Sequence, residues 1–572
     1  MISFDALRNE LIGNDFIIET PYGVRLLTYA DFTASARGLN FIDKYLLELQ
    51  KSYANTHTED DMTGEVMTKI LHKSEEMIKA HVNGGENCYV IPSGTGATGA
   101  IESLAKILGI YIPPATKRTV ENIMKEYYKD NKGIDDIINA DNYLKHVPVV
   151  FIGPYEHHSN ILMWEEGIAE VVEIGLNSNG AIDLDELKDK LYDKKYKERL
   201  KIGSFYAASN VTGIITPVYE IAKILHENNA LVCFDFAACA PYVEINMNKD
   251  KEKYFDAIYL APHKFVGGPG SSGILVINER IYDNTLPPTV SGGGTVSYVS
   301  PYGYDYIDNV QLREMAGTPG ILQIFKAALV MELKNLIGIN KIEEIEKYYT
   351  KKVFQKLKTI ENIKILGPCD ENKLPIFSLK IKHKDKYIHP KFAAKLINDL
   401  FGIQTRAGCA CAAPYGHRLL DISKETSHIF RHFIKEEITA IKPGWIRFNI
   451  HYLMSEYEVD FICAAIEFIA ENGYLFLNEY VLDMKTGNWS HKSHNKPFSI
   501  VETFGAEESL KYIGNCNTKP EWGVSPNNPS EEYKKYLNKA KKHAAQLKKT
   551  DLKFRSFNEE ECPSWFYYVN SK

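Results

Sequence analysis

At 572 residues, 44% hydrophobic and 25% charged, the chain has the composition of an ordinary globular protein, and a prior of roughly 150 residues per domain allows up to about four cores. A net charge of −7 offers no general basic surface for nucleic acid or an anionic membrane, so neither is expected as a partner. Nine scattered cysteines argue against a disulfide framework, and the start "MISFDALRNELIGNDF" lacks the basic flank and apolar stretch of a secretory signal; the expectation is a cytoplasmic protein without a bilayer-spanning segment.

Between residues 88 and 277 continuous apolar runs alternate with helical patterns. "CYVIP" leads through a Gly/Thr loop into "AIESLAKIL"; "VPVVFIG", "GSFYAAS", "ALVCFDFA" and "FDAIYLA" follow, separated by stretches such as "PVYEIAKILHENN". Strands apolar throughout, joined by helices, predict a mostly parallel sheet covered on both faces. Ligands of such sheets bind at the carboxyl ends of the strands. From about residue 330 long helices dominate, with strands in "PIFSLKIKHK" and "WIRFNIHY", the pattern of a smaller α+β domain. A capping box of Ser455 and Glu458 opens a helix with Val459, Ile462, Cys463, Ile466 and Ile469 on one face and Gly473 as its stop. Residues 476–572 change composition. They contain one basic amphipathic segment, "SEEYKKYLNKAKKHAAQLKK", which predicts a helix docked on its own protein, and the aromatic "CPSWFYYV". Cys88, Cys233, Cys239, Cys369 and Cys463 lie in apolar surroundings and read as inert core thiols.

Chemistry concentrates at the predicted strand ends. "YLAPHKFVGGPG" places His263 and Lys264 between an apolar strand and a glycine-rich turn. A lysine there is a surface residue or an amine held in an apolar site, and an amine so held loses its charge readily and suits Schiff-base formation with an aldehyde cofactor. Asp235 closes the buried strand "VCFDFA"; it either caps the next turn or pairs with a cation, and the ring nitrogen of pyridoxal phosphate (PLP) is such a cation. In "PSGTGATGAIESL", Gly94 to Thr98 join strand to helix, a turn whose free N–H groups suit a phosphate, although it is neither a Walker A sequence nor a dinucleotide fingerprint. "EHHSNILMW" sets His157 and His158 after another strand; no third ligand has zinc-like spacing, so no metal is expected.

Together and in this order, these residues resemble the class V aminotransferase superfamily of PLP fold type I, most closely its cysteine desulfurase and selenocysteine lyase branch. The resemblance runs from "YADFTASARG" (29–38) to about residue 473. It implies an α/β fold: an arm over 1–28, a large PLP-binding domain over 29–330 with a mostly parallel, seven-stranded type of sheet, a small α+β domain over 331–475, and an extension over 476–572 of no assigned role. It implies Lys264 as the residue bound to PLP, Asp235 on the ring nitrogen, His157 rather than His158 stacked on the ring, and Asn210 of "ASNVTG" on the phenolic oxygen and near the substrate. Ala97, Thr98 and His263 complete the implied cofactor set. "PPTVSGGGTV" and "REMAGTPG" resemble the family's Gly-rich segment and its A-G-T-P turn. Thr318 is then implied to reach the phosphate of a neighbouring subunit, which makes the protein a homodimer.

"TRAGCACAAPYGHRLL" resembles the segment in which group-II desulfurases carry their nucleophile, implying Cys411; it is also similar to the amino-terminal domain of molybdenum cofactor sulfurases. Cys409 is the rival. The C-x-C pair also permits a metal or redox site, or two inert thiols, but an i,i+2 disulfide is strained and zinc pairs more often have C-x₂-C spacing. Arg406 and His417 are close enough in sequence to favour a thiolate. "GWIRFNIHY" resembles the strand whose arginine holds the substrate carboxylate, implying Arg447 in a task that suits a guanidinium fork. Two departures stand out: Ala238 replaces a glutamine and Ala261 a serine that contact the cofactor in the family. The implied activity converts L-cysteine to L-alanine with a persulfide on Cys411, passed to a sulfur-acceptor protein. Selenocysteine lysis, transamination, β-elimination and a non-catalytic scaffold are the alternatives.

Overall fold

The computed structural model describes residues 3–56, 58, 60–127, 146–368, 373–493, 501–502, 504–510, 528–550, 552 and 566–567. Seven strands form the central sheet: β1 (Cys88–Pro92), β2 (Val149–Ile152), β3 (Glu170–Glu173), β4 (Lys201–Tyr206), β5 (Ala230–Asp235), β6 (Ala257–Leu260) and β7 (Ile274–Asn278). Their order across the sheet is β1-β7-β6-β5-β4-β2-β3, and only β7 runs against its neighbours. β2, β4 and β6 are buried along their whole length, as strands covered on both faces must be. Because the other six strands run one way, the loops after β1, β2, β4, β5 and β6 all open on one edge. That topology gathers the Gly/Thr turn, His157, Asn210, Asp235 and Lys264 into one place.

A second sheet holds β8 (Ile363–Ile365), β9 (Ile376–His383), β10 (Lys386–Ile388), β11 (Arg406–Gly408) and β12 (Trp445–Asn449), in the order β11-β12-β9-β10 with β8 beside β9; Phe566–Tyr567 pairs with the far edge of β10. The helix Glu456–Asn472 opens with the predicted capping box and buries Val459, Ile462, Cys463, Ile466 and Ile469. Its end differs from the expectation. Gly473 stays right-handed at φ −59°, and the chain tightens into a 3₁₀ turn over Gly473–Glu479 instead of stopping. No helix among the described residues is long and apolar enough to cross a membrane.

The basic segment of the extension is the helix Pro529–Leu547, docked through Tyr533, Tyr536, Ala540 and Ala544. Tyr533 stacks on Phe461 at 3.9 Å and accepts a hydrogen bond from the Thr28 hydroxyl; Tyr536 accepts one from the Leu26 N–H. Thr28–Tyr29 pairs in turn with Ile403–Gln404, so the extension braces the N-terminal arm just before it enters the site. Cys88, Cys233, Cys239 and Cys463 are buried, and burial raises each thiol pKa; Cys369 lies outside the described residues.

Candidate active site

The shared strand edge encloses a cavity of about 560 Å³ whose lining includes Lys264, Asp235, His157, Asn210, Arg447 and Cys411. Lys264 closes a 3₁₀ turn, Pro262–Lys264, that follows β6. Removal from water lowers its amine to about 8, while the neighbouring Asp235 charge works in the opposite direction. About a tenth of the amine is therefore uncharged, and nucleophilic, at pH 7, far more than for an ordinary lysine. Burial raises the Asp235 carboxyl to about 6; one of its oxygens accepts the Ala237 N–H at 2.9 Å, and it makes no ion pair among the described residues.

The Gly/Thr turn leads into the helix Ala97–Ile107, whose N-cap Gly96 makes no side-chain cap bond, leaving first-turn N–H groups facing the cavity. Thr98 shares a 2.7 Å hydrogen bond with Ser159, and Ser159 Oγ lies 3.1 Å from His157 Nδ1. This chain ties the turn to the histidine. Burial, reinforced by the Lys264 charge, lowers His157 to about 4, so the ring is neutral at physiological pH. His263 is lowered likewise to about 4 by burial and stands 3.2 Å from Ser35 Oγ. Beneath His157, the buried Glu156 accepts N–H groups from Gly153, Tyr206 and Asn160; burial nevertheless raises it to about 8.

The opposite wall comes from the second sheet. Arg406 on β11 and Arg447 on β12 are direct register partners, a pairing of like charges that is unfavourable unless compensated. Asp31 supplies the compensation: one oxygen accepts from Arg447 Nη2 at 2.8 Å, the other from Arg406 Nε at 2.9 Å. One carboxylate between two guanidinium groups leaves a net positive charge on the wall. Arg447 Nε is buried and has no partner among the described residues. An anionic group of a substrate fits that arrangement.

Cys411 lines the cavity and is exposed, on a loop between β11 and the helix Ala413–Leu419. Ala410 and Cys411 both adopt left-handed backbone, at φ 51° and 57°, which costs about 1–2 kcal/mol for each non-glycine residue. Three hydrogen bonds hold the loop there. Asn210 Nδ2 donates to the Ala410 carbonyl at 2.7 Å, the His158 N–H donates to the Cys411 carbonyl at 2.8 Å, and the Ala413 N–H donates to His158 Nε2 at 3.0 Å. At roughly 1 kcal/mol net each, they are of the size needed to offset the strain. Cys409 is directed elsewhere: its Sγ donates to the Pro443 carbonyl at 3.0 Å, and burial raises its thiol to about 11.

Of the residues singled out from the sequence, Lys264, Asp235, His157, Asn210, His263, Ala97, Thr98, Arg447 and Cys411 meet around this cavity, together with Arg406 and Ala261. Five others do not line it. His417 bonds the Ala413 carbonyl and Ser427, Cys409 faces Pro443, His158 accepts the Ala413 N–H, Ala238 is buried, and Thr318 is exposed on the neighbouring surface. Asp31, Ser159, Glu156 and Tyr206 join the site without a signal of their own. Asp31 had the weakest, since its role depends on strands some 375 and 416 residues away along the chain.

Asn210 Oδ1, Tyr206 OH and Arg447 Nε, buried and unpartnered among the described residues, with the uncapped helix start and an Asp235 that has no ion pair among those residues, are features a planar, phosphorylated cofactor and an amino-acid carboxylate would satisfy. Comparison with known proteins points the same way. The family described as aminotransferase class-V matches residues 137–461. The chain is 26% identical over 446 residues to the probable cysteine desulfurase of Streptomyces coelicolor, covering 77% of this chain and 96% of that protein. It is 27% identical over 299 residues to that of Halalkalibacterium halodurans, covering 52% and 69%. The apo structure of a cysteine desulfurase from Thermococcus onnurineus shares the fold, with a TM-score of 0.62 at 22% identity over 82% of this chain and 99% of that one. With more than half of its length matched and a cavity that suits the cofactor, the chain belongs to the aminotransferase class-V family of PLP-dependent enzymes.

Proposed function

We propose that the protein is a cysteine desulfurase that moves sulfur from L-cysteine to Cys411, leaving L-alanine. The observation that carries this reading is the exposed Cys411 thiol facing the same cavity as Lys264, Asp235 and Arg447, on a loop tied down by Asn210 and His158. The relatives in Streptomyces coelicolor and Halalkalibacterium halodurans support it.

PLP, held by Lys264, Asp235, His157, Asn210 and the first turn at Ala97 and Thr98, supplies an electron sink for carbanion chemistry at the substrate α-carbon. Arg447, steadied by Asp31, binds the substrate carboxylate and fixes the amino acid's orientation. Lys264 Nζ, whose basicity lies close to neutrality, takes the α-proton. The Cys411 thiolate then attacks the substrate sulfur: an S–S bond forms, the Cβ–S bond breaks, and its electron pair stays on carbon, which takes up a proton. Cysteine and a thiol become alanine and a persulfide, with no outside oxidant. The neutral His157, linked through Ser159 to Thr98, is placed to pass protons at the cavity. Cys409 takes no part, because its thiol is protonated and faces the Pro443 carbonyl.

The same reading includes a homodimer and a sulfur-acceptor protein. A second recess of about 880 Å³ shares Gly94, Thr95 and His263 with the active cavity and is bordered by Ala316, Pro319 and Gly320, beside the exposed Thr318. Its position supports insertion of a neighbouring subunit against the far side of the phosphate turn. The decisive experiment incubates PLP-loaded protein with L-cysteine and quantifies alanine and protein-bound sulfane sulfur together. Equimolar first-turnover yields are expected; pyruvate with ammonia, or a keto acid, in place of alanine would assign another reaction of the family.

A further inference from the structure

Tyr206 ends β4 and belongs to the buried apolar cluster that includes Ala237, Ala238, Tyr259 and Ala261. It is only 1% exposed, yet it borders the cavity, and its buried hydroxyl has no hydrogen-bond partner among the described residues. Other buried tyrosines near this sheet edge are satisfied: Tyr155 by Thr216 and Tyr259 by Ser204. An unpaired phenol in such a place costs free energy unless a ligand completes it.

The sheet order indicates which ligand atom that is. On the PLP ring, the line from the nitrogen to the aldehyde carbon separates the phosphate arm on one side from the phenolic oxygen on the other. Asp235, the residue for the ring nitrogen, ends β5; the phosphate turn follows β1, three strands away to one side, and β4 is the next strand on the other. Tyr206 and Asp235 are direct register partners. A phenolic oxygen is therefore carried toward Tyr206. Two nearby groups leave the oxygen short of donors. One of the two Asn210 Nδ2 hydrogens is taken by the Ala410 carbonyl, and Ala238 has no polar atom.

We propose that Tyr206 is a cofactor-binding residue that donates a hydrogen bond to the phenolic oxygen of PLP, filling with a side chain from β4 the space and the role left vacant at Ala238. The assignment rests on the family's cofactor and is independent of which amino acid is the substrate. It also couples two parts of the site: Tyr206 shares the cofactor with Asn210, whose amide also holds the cysteine loop.

The test compares wild-type protein, Tyr206→Phe and the double variant Tyr206→Thr/Ala238→Gln, each loaded with PLP and followed by visible absorption from pH 5 to 10, with cofactor affinity measured by titration of the apoprotein. Without its donor the phenolic oxygen becomes more basic and holds more tightly the proton it shares with the lysine nitrogen. Tyr206→Phe should therefore raise the pH midpoint of the absorption change by about one unit and weaken PLP binding about tenfold. The double variant, with a glutamine donor at the neighbouring position, should return toward wild type. An unchanged midpoint and affinity in Tyr206→Phe would overturn the assignment, as would a double variant that behaves like Tyr206→Phe. Absence of any cofactor band in the wild type would instead remove PLP from the site, and the role of Tyr206 with it.

Discussion

Lys264 and Asp235 stand at the ends of buried parallel strands, where exclusion of water sets their chemistry, whereas Cys411 stands on an exposed loop of left-handed backbone held by hydrogen bonds from β-edge residues. In the first region burial itself does the tuning, lowering an amine and raising a carboxyl toward neutrality. In the second, position is what is controlled: a loop that would relax if released is fixed over the cavity by Asn210 and His158. The proposed reaction accounts for the difference: a thiol that takes sulfur from a substrate and passes it on must remain reachable, which a residue sealed in the core is not.

The sharpest way to break this contrast is to exchange the two cysteines of the loop. Cys411→Ser should lower alanine formation from L-cysteine on the order of 10³-fold, while leaving PLP loading intact. Cys409→Ser should stay within about twofold, because its thiol is directed to Pro443. Comparable losses in both variants, read as first-turnover alanine, would show that the geometry does not distinguish them.

A smaller effect is expected at the arginine wall. Asp31→Asn keeps the shape but removes the charge between Arg406 and Arg447, so the two guanidinium groups repel and the carboxylate site loosens. KM for cysteine should rise roughly tenfold with kcat changed much less, the split expected when substrate binding and not chemistry is disturbed. A fall in kcat alone would place Asp31 in the chemical step instead.

The mildest test addresses the buried region itself. Capture of PLP requires the uncharged Lys264 amine, which is present above its own pKa. Because burial lowers that pKa to about 8, the capture rate of the apoprotein should rise through pH 8 and level off well below the ~10.4 of an ordinary lysine. Stopped-flow absorbance gives the midpoint directly. A rate still climbing at pH 10 would mean that the cavity does not desolvate the amine.

Much of this architecture could be read along the chain. Apolar strands such as "VVFI" and "AIYL", their alternation with helices, the Ser455–Glu458 capping box and the glycine-rich turns are local patterns, each with a local physical cause. Lys264, Asp235, His157, Arg447 and Cys411 stood out from motifs that stay contiguous in sequence, and the fold brings them to one cavity. Gly473 was misleading, since a glycine can end a helix in a left-handed turn but also passes unremarkably into a 3₁₀ turn.

Other parts were decided only in three dimensions. Nothing near Asp31 shows that it will lie between two arginines, and nothing in "GSFYAAS" shows that Tyr206 will border the cavity with a buried hydroxyl unpartnered among the described residues. The different surroundings of Cys409 and Cys411, two residues apart, likewise come from the fold, which turns one to the Pro443 carbonyl and sets the other at the cavity. The extension docks through Tyr533 and Tyr536 onto an arm some 500 residues earlier in the chain. The chain by itself determined the elements and the kinds of reactive group they carry, because both are set by neighbours within a few residues. Partners, burial and exposure were left to the tertiary structure, because these depend on which distant segments the sheet order brings into contact.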